Sequence, residues 1–382
     1  MIWPWVESDP PAFIPSHRIP SHTMQTITTG AARANGALRL PADVAAYLKR
    51  HGLELGDVLT DSNPKLAKGA AIARAVIHHT LPGRALAAAI NSGNGATVPP
   101  RAYLPTLAAR CEALGLTDKA RKHNACPWST VGCSDACLTW AGHGGLSADV
   151  AACRGRRTLA MIDQPETYGR AMVWAIARQW QRAQLDGLPL AVRLRGTDDQ
   201  PWHLLRLSVT LAEAVTIRRR FGLLIANGKD QTIAQILAPA VGEGSVKLYE
   251  YSKAPTDGPL GLKAQWAAGW DVTASLAGDR ATAARDAMAA IEAGFRLAVP
   301  IAIAKGAPIP AYVTISYGGR SVTLPAIDGD ATDHRWADPN GVAVILRGKR
   351  SRGADPKIAG FILPLANTIA LPDGRVDLTY YC

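Results

Sequence analysis

The sequence predicts an α/β fold, a partial TIM-like parallel barrel with a helical N-terminal extension. Three observations carry that expectation. Short apolar runs alternate with helical periods through the second half of the chain, the rhythm of parallel strands joined by crossover helices. Several strand candidates are apolar along their length, as in a sheet covered on both faces. Polar residues collect where these strands stop: Asp198 and Asp199, Tyr251 and Lys253, Ser275 and Asp279, and Lys305. In parallel barrels the site forms at that carboxyl end.

The elements follow in order. Residues 1–30 are rich in Pro, Ser and Thr, with Trp3 and Trp5 early, and read as an extended arm. Helical patterns are expected at about 41–53, where Pro41 suits a first turn and Val44, Tyr47 and Leu48 share a face, and at about 64–80. Ala85 to Ile90 is a short apolar run stopped by Asn91-Ser-Gly-Asn-Gly95. Helical period returns at 103–114, and again at 147–161 and 166–185. Strands are expected at Leu190 to Arg195, Val246 to Ser252, Trp270 to Ser275, Leu297 to Ala304, 322–327 and 342–347. Helices at about 202–215 and 280–294 lie between them. The expected division is an arm and helical extension over 1–85, then a barrel-like catalytic domain over 86–382 with a cysteine metal loop at 126–137.

The chain has 382 residues, 48% hydrophobic and 19% charged, with net charge +11. That basic balance favours an anionic partner, a nucleic acid or a phosphorylated nucleotide. Six cysteines in this length are no secreted disulfide framework. The opening residues show no signal-like apolar segment, and no apolar run reaches the ~18–20 residues that span a bilayer. The expectation is a cytoplasmic protein with no membrane association. G-x-G-x-x-G, Walker A, G-x-S-x-G and H-E-x-x-H patterns are absent, which argues against the common nucleotide, hydrolase and zincin sites.

The most informative segment runs from Cys126 to Cys137. Cys126, Cys133 and Cys137 stand as C-x6-C-x3-C, with Cys153 sixteen residues further on. Pro127, Ser129, Gly132 and Ser134 mark a loop, and a loop can curl three thiolates about one point. Such soft ligands select zinc, copper(I) or iron–sulfur clusters, and three of them leave one position open. A closed zinc site takes a fourth ligand, for which Cys153, His123 and His143 are candidates. The x6 gap is wider than a zinc knuckle uses. Cys111, Cys382 and, as readily as a ligand role, Cys153 fit the plainer reading of reduced thiols with no metal.

Other residues are weighed the same way. Asp198 and Asp199 follow a strand and are candidates for a base or nucleophile; an ordinary helix cap is the alternative. Gly196 and Thr197 let backbone approach a ligand closely. Tyr251 and Lys253 alternate along a strand and so share one face. Asp328, Asp330, Asp333 and Asp338 form an acidic run that suits Mg²⁺, Ca²⁺ or plain solvation. Arg154, Arg156 and Arg157, then Arg218 to Arg220, then Arg347, Lys349, Arg350 and Arg352, are basic clusters fit for phosphate. Trp128 and Trp140 flank the cysteines and are candidates for base stacking. His78 and His79, placed within a helix, would point apart and carry no site.

The three cysteines, with Gly132 before the second, resemble the motifs of radical-SAM-like proteins, although the usual spacing there is C-x3-C-x2-C. Further segments resemble an uncharacterised phage family over roughly 90–350. These are Asn91 to Gly95, Arg193 to Asp199 with its Gly-Thr-Asp-Asp, Tyr249-Glu-Tyr-Ser-Lys253, Asp328 to Arg335, and Arg347-Gly-Lys349. The resemblance implies a barrel, a 4Fe–4S cluster on Cys126, Cys133 and Cys137, and S-adenosylmethionine. It would be phage-encoded and act in the host cytoplasm. Asp199, Tyr251, Lys253 and Asp330 would serve the substrate end, with Asn91, Gly196 and Thr197 near the cofactor. Two other functions stay open. One is a transglycosylase-like enzyme with structural zinc and an aspartate nucleophile. The other is a basic nucleic-acid-binding protein without catalysis.

Overall fold

The computed structural model describes residues 39–61, 64–91, 104–135, 137, 147–304, 306–348, 361–363, 368–370 and 376–381. The expected arm with Trp3 and Trp5 lies outside them, as do Trp140, His143, Lys305, Lys349, Arg350, Arg352 and Cys382.

Ten strands form one sheet. In chain order these are β1 (Arg74–Ile77), β2 (Leu190–Arg193), β5 (Val246–Ser252), β6 (Asp271–Ser275), β7 (Arg296–Ile301), β8 (Tyr312–Tyr317), β9 (Arg320–Asp328), β10 (Ala343–Arg347), β11 (Thr368–Ala370) and β12 (Val376–Tyr381). Their spatial order is β1-β2-β5-β6-β7-β10-β9-β8-β12-β11. Every pairing from β1 through to β9 is parallel. The far side mixes antiparallel β8–β9 and β11–β12 pairs with a parallel β8–β12 pair. A separate antiparallel pair joins β3 (Arg206–Val209) and β4 (Gly228–Thr232). The protein is thus a mixed α/β protein with a mostly parallel sheet. Among the described residues no ladder joins its two edges, so closure into a barrel is not part of what is seen.

Helices cover the sheet. They are α1 (Ala42–Arg50), α2 (Leu55–Val58), α3 (Pro64–Lys68), α4 (Ala85–Asn91), α5 (Leu104–Ala113), α6 (Thr117–Lys122), α7 (Val131–Asp135), α8 (Ala148–Asp163), α9 (Pro165–Leu185), α10 (Leu211–Phe221), α11 (Ile233–Gly242), α12 (Leu262–Ala267) and α13 (Ala283–Glu292). The central one is α9, started by Pro165 in its first turn, where a missing N–H costs nothing. It buries Tyr168, Met172, Val173, Trp174 and Ile176 against the sheet. Period-2 alternation splits the sheet's side chains. Val192, Val246, Leu248, Leu297 and Val299 enter the main core, while Ala191 and Tyr249 face a second layer with Leu66, Ile77 and Trp336. Val44, Leu48 and Val58 share the main core with Leu237 and Met288, so residues on both sides of position 85 pack together.

Several elements depart from expectation. The 64–80 stretch is helix only to Lys68, and β1 takes 74–77. Close packing intervenes at Gly69, where a Cβ would lie 2.0 Å from the His334 ring. The expected helix at 202–215 is a single 3-10 turn at Trp202–Leu204, then β3, then α10. Thr210 decides the boundary. Its hydroxyl accepts from Glu213 N while the Glu213 carboxylate accepts from Thr210 N, a reciprocal cap that restarts the chain as a helix. Strand β8 was not anticipated. Gly318 and Gly319, both at positive φ (59° and 75°), turn it into β9, the backbone a two-residue hairpin needs.

Candidate functional site at the carboxyl edge of the parallel strands

The strands β1, β2, β5 and β6 end side by side, and each is followed by polar residues. The cysteine segment lies across these ends. Ala125 O accepts from Asp199 N at 2.8 Å, and Ala125 N donates to Gly83 O at 2.8 Å. Gly132 N donates to Asp279 Oδ2 at 2.8 Å. Arg280 donates one guanidinium N–H to Trp128 O and another to Lys253 O, the latter at 3.0 Å. The segment is therefore fastened to the turns after β2, β5 and β6. The loop expected from Pro127, Ser129 and Gly132 holds one short helix, α7, which carries Cys133.

Cys126 is held by backbone at this edge. Cys126 Sγ accepts from Gly83 N at 3.1 Å and lies 3.7 Å from Thr197 O, to which its S–H points. Burial pushes the Cys126 thiol well above its ordinary range, and the Asp199 and Asp198 carboxylates push further the same way. Burial by itself would lower the Lys253 ammonium. Cys133 first, then Asp199, Cys126 and Cys137, hold it above its ordinary range instead. The Lys253 ammonium lies 5.6 Å from the Phe361 ring centre. Among the described residues, no three His, Cys, Asp or Glu side chains are gathered closely enough to grip a metal ion.

Asp198 and Asp199 divide their roles. Asp198 is fixed by Thr80, whose hydroxyl donates at 2.6 Å, and by Gln200 N at 3.1 Å. Burial raises its carboxyl to about 6 despite those bonds. Thr197 donates to Thr80 O at 2.8 Å and so ties the β2 turn to the β1 turn. Gly196 sits where a Cβ would lie 2.3 Å from His79 Nδ1 and 2.5 Å from His78 O, so a side chain has no room there.

Other expected site residues fall elsewhere. Tyr251 shares the Lys253 face of β5, as alternation predicts, but its ring lies under the Arg193 guanidinium at 4.5 Å. Its hydroxyl is buried and makes no hydrogen bond among the described residues. Asp330 accepts from Arg347 N at 3.0 Å, and its carbonyl accepts from Lys68 at 2.6 Å. Arg347 also clasps Asp328 at 2.8 and 2.9 Å. Asp330 and Arg347 hold one another. Asp333 is buried against Arg193 at 3.2 Å and accepts from the Tyr249 hydroxyl at 3.3 Å. Cys153 packs on the main core from α8. Asn91 ends α4, with its side chain outside the described residues.

The Arg154, Arg156 and Arg157 cluster is on α8, with Arg154 and Arg157 buried. Arg157 donates to the carbonyls of Asp57 and His79 and to the Thr60 hydroxyl. His78 and His79 were missed. Taken as helical they point nowhere useful, but at the end of a strand they point to opposite faces. His78 enters the core, 3.0 Å from the Tyr168 hydroxyl, and burial pushes its imidazole down to about 3. Asp279 and Arg280 were also underweighted. Their signal was position alone, at the end of a strand.

This arrangement defines a class: an α/β protein with a cysteine-bearing segment fastened across the carboxyl ends of its parallel strands. The chain belongs to the phage gene product 88 family, whose sequence profile matches residues 59–360. No curated protein matches the chain, and no solved structure matches it. No helix among the described residues is long and apolar enough to cross a membrane.

Proposed function

We propose that this protein is a metal-dependent enzyme acting on a nucleotide or nucleic-acid base, with Cys126, Cys133 and Cys137 as the metal ligands. One observation carries the reading: the segment bearing Cys126, Cys133 and Cys137 is fastened across the carboxyl ends of the parallel strands, with Gly83 N donating to Cys126 Sγ at 3.1 Å, Gly132 N to Asp279 at 2.8 Å and Arg280 to the Trp128 and Lys253 carbonyls. Thiolates are soft donors that suit iron–sulfur clusters or zinc. Cys126 is costly to ionise where it stands, and a bound cation supplies the charge that favours its thiolate. The Gly83 N–H aimed at its sulfur is the kind of outer contact that orients a ligating thiolate. Ligation would draw the sulfurs closer than they now stand.

An iron–sulfur cluster with S-adenosylmethionine would supply one-electron chemistry at this edge, as the three-cysteine resemblance implies. The chain's own residues do the rest. Lys253 would hold an anionic group of the substrate or of S-adenosylmethionine. Asp199 would accept a proton or an amine hydrogen bond. Gly196 and Thr197 would let a ligand lie against backbone. On the partial TIM-like reading, the parallel strand ends would form one half of a barrel mouth. The basic balance, +11 overall, supports an anionic substrate.

Anaerobic purification with elemental analysis tests this. The expected result is iron with acid-labile sulfide, a broad visible absorbance, and loss of both in Cys133→Ser. Stoichiometric zinc in a colourless protein would replace the radical reading with a structural metal and an aspartate nucleophile. No metal at all, with nucleic-acid binding unchanged in Cys133→Ser, would leave a non-catalytic binding protein.

A further inference from the structure

We infer that Arg195 and Glu250 are positioning residues, which set Cys126 and Asp199 in place through the turn at 196–200. The inference rests on Cys126 and Asp199 being working groups of this edge, but not on a metal being bound.

The placement begins where a ladder stops. β2 and β5 pair in parallel as far as Val192 opposite Leu248. The same register brings Leu194 level with Glu250, and there a side chain takes over from the ladder. Glu250 accepts from Leu194 N on one carboxylate oxygen and from Arg195 N on the other, both at 3.0 Å. Arg195, buried like Glu250, spreads its guanidinium over three neighbours. Its Nε donates to Gln200 O at 2.7 Å and so closes the turn on itself. A second nitrogen donates to Gln265 Oε1 of α12 at 2.7 Å. The third lies 3.2 Å from His203 Nδ1, and His203 Nε2 lies 3.1 Å from Pro259 O. With that carbonyl taking the Nε2 proton, Nδ1 carries the lone pair that accepts from Arg195. A planar fork meeting three acceptors is a rigid brace, which the single ammonium of a lysine does not reproduce.

The braced turn in turn grips the cysteine segment. Asp199 N donates to Ala125 O at 2.8 Å. Thr197 O lies 3.7 Å from Cys126 Sγ. The Gln200 amide nitrogen lies 3.3 Å from His123 Nε2. Positions 123, 125 and 126 are thus all held by 196–200, and Glu250 and Arg195 fix the two ends of that turn. Removing an acceptor leaves a buried N–H without a partner. The turn then opens more often on its own, and Cys126 is the thiol it uncovers.

Alkylation of the full chain with iodoacetamide, after chelation of any metal and read thiol by thiol by mass spectrometry, tests this. Glu250→Gln keeps the shape but turns an amide nitrogen toward an N–H. Arg195→Lys keeps the charge and loses the fork. Cys126 should label at least about tenfold faster in each. Cys111, buried in a separate helical cluster, should keep its native rate. The pH at which Cys126 becomes reactive should also fall toward the ordinary thiol range, because burial is what raises it. Tyr249→Phe, which breaks a bond to Asp333 on the opposite face of the same strand, should leave Cys126 at its native rate. Unchanged Cys126 labelling in both variants would overturn the inference. So would a rise shared by Cys111 or by Tyr249→Phe, which marks general loosening. Circular dichroism checks each fold. If Glu250→Gln is unfolded Arg195→Lys decides, and if both are, Gln265→Ala, which removes one point of the brace, decides by the same comparison. A native chain that holds no metal would end the metal reading and leave the labelling result standing.

Discussion

Glu250 is almost wholly out of water, yet each carboxylate oxygen accepts one backbone N–H, from Leu194 and from Arg195, both at 3.0 Å. Burial wins over those bonds and over Arg195 and Arg193, and raises the carboxyl to about 8. The folded protein therefore keeps a proton that the unfolded chain releases at its ordinary, lower pKa. Its contribution to stability is greatest below that ordinary value, falls as pH rises toward about 8, and levels off above. The slope in that window is at most about 1.4 kcal/mol per pH unit. Urea titrations at several pH values should show this component in the native chain and lose it in Glu250→Gln; equal slopes would refute it. Asp198, raised to about 6, adds a component of the same sign at lower pH. Residue chemistry of this kind was only partly legible in the sequence. Asp198, Asp199 and Lys253 stand out in the sequence because they follow strands. Glu250 was missed because it sits inside an otherwise ordinary strand, and its partners come from the neighbouring strand end.

At the scale of elements, caps and turns decided more than periodicity did. Helix α10 starts at Thr210 because a reciprocal cap with Glu213 satisfies N–H groups that a helix start leaves open. Glu213 is further fixed by Arg170 of α9 at 2.8 Å. Thr210→Ala should cost about 1 kcal/mol in chemical denaturation, with Thr210→Ser close to native. An equal loss in both variants would show that the hydroxyl is not what matters. Strands β5, β6 and β10 and helices α1, α8 and α9 were legible because their apolar spacing is clear and long contacts only reinforce it. The stretch at 64–80 misled, since Leu66, Ala70 and Ala73 keep a helical spacing that the packing of Gly69 under His334 cuts short. Strand β1 exists because β2 offers it a parallel edge.

At the scale of the molecule, one segment locks the second face of the sheet. Asp333 reaches from beyond β9 to Arg193 on β2 and Tyr249 on β5. Arg335 is buried beside it and pairs with Asp338 at 2.9 Å. Arg296 of β7 donates to the carbonyls of Arg335 and Asp338. The aspartates read as a cation-binding or solvated turn thus work in part as a clasp. Removing one buried partner strands the other charge, so Asp333→Ala should cost about 3–5 kcal/mol in urea denaturation. A loss no larger than at an exposed aspartate would show the clasp to be slack.

The sequence by itself determined the α/β class, most crossover helices and the basic balance. These follow from local spacing and composition, which act over a few residues at a time. Only the tertiary structure decided the strand order, the burial of Arg154 and Arg157, the turning of His79 away from the core, and the fastening of the cysteine segment across the strand ends. The reason is that strand pairing joins residues far apart in the chain. Position 79 meets 196 and position 126 meets 197 only after β1 and β2 have found one another.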